Sequence, residues 1–236
     1  MKYYLLFLFV WFGYNQSQAQ VLTDWQMENV KGKVKTLTSI DYPSEGKEVK
    51  KQIVHFNERG FFTLKEIYIG VQEEEKTSSI VYTKIGELQF FEYQNNIRHS
   101  LSLNANGTKA TEIVQQWPTT NTCEFTYTYF NKPKNKGSMQ LLFTPQAQVK
   151  EIHLIIMNKE DGNIEFETKS LHQYDAKGYE IQFKQQTLQP YGDTQLLTFK
   201  NKAFDSQGNI VEKEVFDEYS QTYSTTFFEY EYYKRN

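Results

Sequence analysis

The chain has 236 residues, 26 Lys and Arg against 29 Asp and Glu, a formal charge of −3, and 16% aromatic residues. Scattered lysines on a slightly acidic chain give no footprint for gripping phosphate backbones, so nucleic acid is not an expected partner. The aromatic content excludes a disordered chain, and a single cysteine, Cys123, excludes an intramolecular disulfide.

At the N-terminus, Lys2 precedes a compact apolar run from Tyr3 to Phe12. The run is shorter than the ~20 residues a membrane helix needs, and Ser17-Gln18-Ala19 supplies small residues where a signal peptidase reads. Residues 1–19 are therefore expected to be a signal peptide, and 20–236 a single exported all-β domain, periplasmic or extracellular, with no membrane-spanning segment. Thr23 to Val30 is the one helix candidate: Thr23 or Asp24 caps a turn or two before Gly32 stops it, and Trp25 and Met27 are placed to plug one end of a sheet.

From there to the C-terminus, apolar and polar residues alternate with period two. Phe125, Tyr127 and Tyr129 interleave with Glu124, Thr126 and Thr128; Tyr179, Ile181 and Phe183 with Glu180, Gln182 and Lys184; Phe228, Tyr230 and Tyr232 with Glu229 and Glu231. Such strands bury one face. Turn formers separate them at short intervals, which predicts about a dozen strands in an antiparallel hairpin meander, curved into an open sheet, half-barrel, sandwich or short repeat stack. A soft boundary is conceivable at 131–138, a polar lysine-bearing stretch, but strands resume on both sides without a change of composition, so a long hairpin loop is expected.

Three turns share one spelling: Phe56-Asn57-Glu58-Arg59-Gly60, Tyr174-Asp175-Ala176-Lys177-Gly178 and Phe204-Asp205-Ser206-Gln207-Gly208. The Asn or Asp accepts a hydrogen bond from backbone two residues on, and the glycine supplies the positive φ where a type I turn enters a bulge. This aromatic-Asp-x-x-Gly pattern resembles the tyrosine-aspartate repeats of RHS-type proteins and the looser hairpin-repeat proteins exported by Bacteroidetes. The resemblance implies scaffold, shell or adhesive surface, and it carries over no functional residue.

Chemistry-bearing residues are dispersed. His55, His99, His153 and His172 fall in different strands without metal-ligand spacing, and His55 and His172 are predicted on opposite strand faces. The pairs Glu165/Glu167, Glu212/Glu214 and Glu229/Glu231 each share a strand face and fit a wet exterior; read as an acid and a nucleophile they describe a glycoside hydrolase. The run Glu73-Glu74-Glu75 lacks calcium-loop spacing. Cys123 shares strand parity with Phe125, Tyr127 and Tyr129 and is expected in the core. No catalytic residue, metal site or cofactor is assigned. Ligand-binding candidates are Trp117, beside a proline turn, and Tyr233, which breaks the parity of Phe228, Tyr230 and Tyr232. The leading expectation is a non-enzymatic sheet surface that binds a partner or acts as a scaffold; the alternative is a lipid or glycan carrier with an aromatic-lined curved sheet.

Overall fold

The computed structural model describes residues 21–43, 46–71, 80–192 and 194–234. The expected signal peptide and Glu73-Glu74-Glu75 lie outside these. A four-residue helix, α1 (Asp24–Met27), precedes fourteen strands: β1 (Val34–Pro43), β2 (Glu48–Phe56), β3 (Phe62–Val71), β4 (Val81–Phe90), β5 (Ile97–Asn104), β6 (Lys109–Thr119), β7 (Thr122–Tyr129), β8 (Asn135–Phe143), β9 (Val149–Asn158), β10 (Ile164–Tyr174), β11 (Glu180–Gln189), β12 (Thr194–Phe204), β13 (Ile210–Asp217) and β14 (Thr222–Tyr232).

Each strand pairs antiparallel with its sequence neighbour, and β1 pairs with β14, so the meander closes into a barrel. The open sheet, half-barrel and repeat stack are thereby corrected. Closure rests on the register Leu37↔Tyr230 and Ser39↔Phe228, a pairing that no local pattern announces. Within stretch 131–138, β8 begins at Asn135 and pairs with β7 up to Thr128↔Lys136, directly beneath a hairpin loop.

The three shared turns form as their chemistry dictates. Asn57, Asp175 and Asp205 each accept from the backbone N–H two residues on, at 3.0, 2.9 and 2.9 Å. Gly60, Gly178 and Gly208 have φ of +86°, +86° and +85°, and a ladder irregularity adjoins each turn. A fourth copy is disguised in the sequence. In Phe143-Thr144-Pro145-Gln146-Ala147-Gln148, Thr144 replaces the Asp, accepting from Gln148 N at 3.3 Å, and Ala147 takes the glycine's place at φ +64°. Hairpins alternate between the two barrel ends, and these four follow even-numbered strands. All four therefore sit at one end, where β1 begins and β14 finishes.

Period-two alternation sorts the side chains into lumen and exterior. Leu37, Leu141, Ile152, His172, Lys213 and Phe228, on strands spread around the barrel, border one interior cavity. Along β7, Phe125, Tyr127 and Tyr129 stack at 6.4 Å intervals on this inner face. The exterior carries cross-strand ion pairs: Lys84 with Glu66 at 2.7 Å, His153 with Glu167 at 2.7 Å, Lys169 with Glu151 at 2.9 Å and Lys202 with Glu214 at 2.7 Å. Glu212/Glu214 and Glu229/Glu231 thus supply the outer wall, with Glu231 engaging Lys35 at 2.9 Å, whereas a bulge parts Glu165 from Glu167 and turns Glu165 toward Tyr129 and Phe166. As expected from their offsets, His55 faces out, 3.2 Å from Glu66, whereas His172 borders the lumen.

Candidate functional site

Eight strands enclose a bore that side chains fill and about sixteen enclose a water channel. Fourteen strands lie between, so filling this lumen takes something besides the wall. The N-terminal segment supplies it. Thr23 caps α1 through a capping box with Gln26, and Trp25 and Met27 enter the barrel as the sequence predicts.

The four turns form a collar that holds this plug. Trp25 N donates to Gly60 O at 3.1 Å, and Asn29 Nδ2 to Gly178 O at 2.8 Å. Lys31 N donates to Asn209 Oδ1 at 2.6 Å, and Asn209 Nδ2 returns a bond to Lys31 O at 2.9 Å. Gln148 Nε2 donates to Gly178 O at 3.2 Å, tying the disguised turn to its neighbour. A Cβ on Gly60 would lie 2.4 Å from Trp25 Cε3, so this glycine provides close approach as well as positive φ.

Deeper in, Asp24 and Arg98 form a bidentate pair, 2.5 Å from Nη1 to Oδ2 and 2.9 Å from Nη2 to Oδ1, with exposures of 0% and 2%. Phe62 N donates to Asp24 Oδ2 at 2.6 Å, while Gln115 Oε1 accepts from Arg98 Nε at 3.0 Å and Nη2 at 2.6 Å. The guanidinium also lies 4.7 Å from the Tyr93 ring centroid and 4.9 Å from that of Phe90. Each polar atom of the pair thus has a partner, which is what makes a buried charge tolerable.

Trp117 belongs to this plug interface. It is 2% exposed, stacks on Phe143 at 5.3 Å, and donates Nε1–H to Tyr93 Oη at 3.2 Å, so it packs the core and presents no outer ring to a ligand. Tyr233 sits at the plugged end, where its hydroxyl donates to Phe56 O at 2.6 Å. The two candidates are not brought together, and both serve the closed end. Cys123 is a core residue as expected; burial pushes its thiol up to about 12.

Above the plug lies a cavity of about 420 Å³. Aliphatic walls come from Leu37, Leu141, Val149 and Ile152, and aromatic walls from Phe228 and Tyr230. Glu28 closes it from below. Its carboxyl meets the cavity yet is enclosed by the barrel, and that burial raises its pKa above the ordinary value. Lys213 enters from β13; burial lowers the pKa of its ammonium. Two further recesses, of about 520 and 460 Å³, border the inner wall toward the other end, beside Asp41 and Lys50 and beside Tyr129 and Phe166. Among the described residues, no group of His, Cys, Asp and Glu is arranged to hold a metal ion.

The sequence reading missed Asp24, Arg98 and Lys213. Only Lys213 left a local signal: it occupies an inward position in Val211-Glu212-Lys213-Glu214, where the opposite parity carries glutamates.

No protein-family model matches the chain, and no curated protein sequence matches it. Among solved structures, a porin-like protein from Bacteroides uniformis ATCC 8492 superposes with a TM-score of 0.53 at 9% identity, covering 85% of this chain and 99% of that one. A porin-like protein from Bacteroides vulgatus ATCC 8482 gives a TM-score of 0.49 at 11% identity, with coverages of 84% and 98%. The first of these likenesses shows that the chain shares a β-barrel fold.

Proposed function

We propose that the chain is an exported, water-exposed β-barrel that carries a small apolar or amphipathic ligand in its plugged lumen. The carrying observation is the polarity of the wall. A barrel that spans lipid presents an apolar band outward and a polar lumen inward; here aromatic and aliphatic rows face in, and cross-strand ion pairs face out. Lys84, Lys169, Lys184 and Lys200 stand on the outer face in the middle stretches of β4, β10, β11 and β12. Buried at the bilayer midplane, each would cost ~2–4 kcal/mol, on the order of 10 kcal/mol together. This wall favours water, whatever the porin-like description of the neighbours denotes for them.

Export is supported by Lys2 and the apolar run that follows. Closure turns the rows of Phe125, Tyr127 and Tyr129 and of Phe228, Tyr230 and Tyr232 inward, which leaves partner binding to the smaller outer group of Tyr219, Tyr223 and Phe227. A concave pocket with aliphatic and aromatic walls and a few polar groups is the usual form of a small-molecule site. The test is native mass spectrometry of protein purified from its own host. A bound small molecule released on denaturation is the expected result; apo protein throughout, or ion conductance after addition to lipid bilayers, would defeat the proposal.

A further inference from the structure

Building on the lumenal reading, we infer that the cavity takes an amphiphile with an anionic headgroup, held by Lys213. Lys213 Nζ lies 4.6 Å from the Phe199 ring centroid and 5.7 Å from that of Phe228. Among the described residues, no carboxylate forms an ion pair with it. An ammonium steadied by ring faces retains its hydrogen-bond donors for something else.

Its surroundings hold two further unspent groups. Asn201 is the cross-strand partner of Lys213; its Nδ2 donates to Glu180 O at 3.4 Å, and its Oδ1 is buried without a partner. His172 directs Nδ1 to Glu180 Oε1 at 2.6 Å, and its Nε2 is likewise buried and unpartnered. With Nδ1–H given to the carboxylate, Nε2 accepts in the neutral ring and donates in the imidazolium. Buried polar atoms without partners are uncommon in folded chains; Asn201 Oδ1 only accepts, so it suits a hydrogen-bond donor beside the headgroup, and the negative charge falls to Lys213.

The nearby carboxylates do not fill this role. Glu180 is engaged by His172, Asp41 accepts from Thr226 Oγ1 at 3.2 Å, and neither Asp41 nor Glu28 forms an ion pair with Lys213. Arg98, another inward cation, is fully committed to Asp24 and Gln115. Leu37, Leu141, Val149 and Ile152 across the same cavity suit an alkyl chain. A cation on one wall and an aliphatic surface on the others describe an anion with a tail.

The test is displacement of an apolar fluorescent probe from the folded chain by dodecanoic acid, dodecyl phosphate and methyl dodecanoate. At least one anion should bind about tenfold or more tightly than the ester, their order identifying the headgroup as carboxylate or phosphate. Lys213→Met should bring the preferred anion and the ester within about threefold of each other; this variant removes a buried charge, so folding is expected to survive. Equal binding of both anions and the ester to the unmodified chain overturns the headgroup inference and leaves the carrier reading standing. Absence of binding by all three, with no displacement of the probe, overturns both.

Discussion

Asp24→Asn isolates what the buried ion pair contributes. The substitution keeps the size of the side chain and an acceptor for Phe62 N, but it removes the charge 2.5 Å from Arg98 Nη1. The guanidinium is then left inside the barrel with Gln115 Oε1 and the Phe90 and Tyr93 rings as its remaining partners. Removing one member of a fully buried pair costs ~3–5 kcal/mol, most of it the penalty of the orphaned charge. That penalty is relieved if the plug withdraws and water reaches Arg98, so the loss should appear first as release of residues 21–33. Urea titration followed by tryptophan fluorescence and by far-UV circular dichroism separates the stages: Trp25 should report an early transition while strand signal persists. In Asp24→Leu with Arg98→Met both charges go, and stability should return to within ~1 kcal/mol of the original chain. A loss below ~1 kcal/mol in Asp24→Asn, or a double variant no better than the single one, would refute the reasoning.

Gly60→Ala should cost ~2–4 kcal/mol, combining a disfavoured backbone region with a clash against Trp25, whereas Gly107→Ala, at φ +78° with open space around its Cβ, should cost only ~1–2 kcal/mol. Equal shifts in their urea midpoints would show that the collar does not press on the plug. Cys123 should resist Ellman's reagent at pH 8 in the folded chain and react only as fast as the barrel opens; because its folded pKa is raised, the stability it contributes is complete below the unfolded value of 9.0 and lost as pH climbs toward about 12. At Asp205, burial works upward, but the Tyr232 hydroxyl and the Asn209 backbone N–H outweigh it and hold the carboxyl below 3.8. Its contribution is therefore present above that value and lost as pH falls through the folded pKa, so Asp205→Asn should flatten the acid limb of a stability–pH profile, and an unchanged limb would count against the assignment.

Local chemistry was legible in the sequence. Period two placed Cys123, Phe125 and Tyr127 on one face and His55 and His172 on opposite ones, and the Asx-x-x-Gly spelling gave three turns with their bulges. The fourth turn escaped because Thr144 and Ala147 use the same geometry with other residues. Closure escaped for another reason: an alternating strand specifies that one face is buried, not whether it is covered by a second layer or by the far side of its own sheet. Trp117 was misplaced by that ambiguity, since an aromatic beside a proline turn looks like a rim residue until the plug arrives against it. Asp24 and Arg98 stand 74 positions apart, and nothing in either neighbourhood names the other.

The pairing of β1 with β14 has a consequence for how the chain comes to be folded. Lys35 and Glu231, joined across that seam, are 196 positions apart. Until the last strand has been synthesised and has found the first, the growing sheet has two unpaired edges, each a template for a strand from another molecule. A ladder zipped from neighbouring hairpins forms through local contacts, but its final seam joins residues 196 positions apart and carries the largest single loop-closure cost. Folding should therefore stall at an almost complete, unsealed sheet whose aromatic rows lie open to water. This is the species on which a holding chaperone would act, and the one that should aggregate first when β14 is truncated.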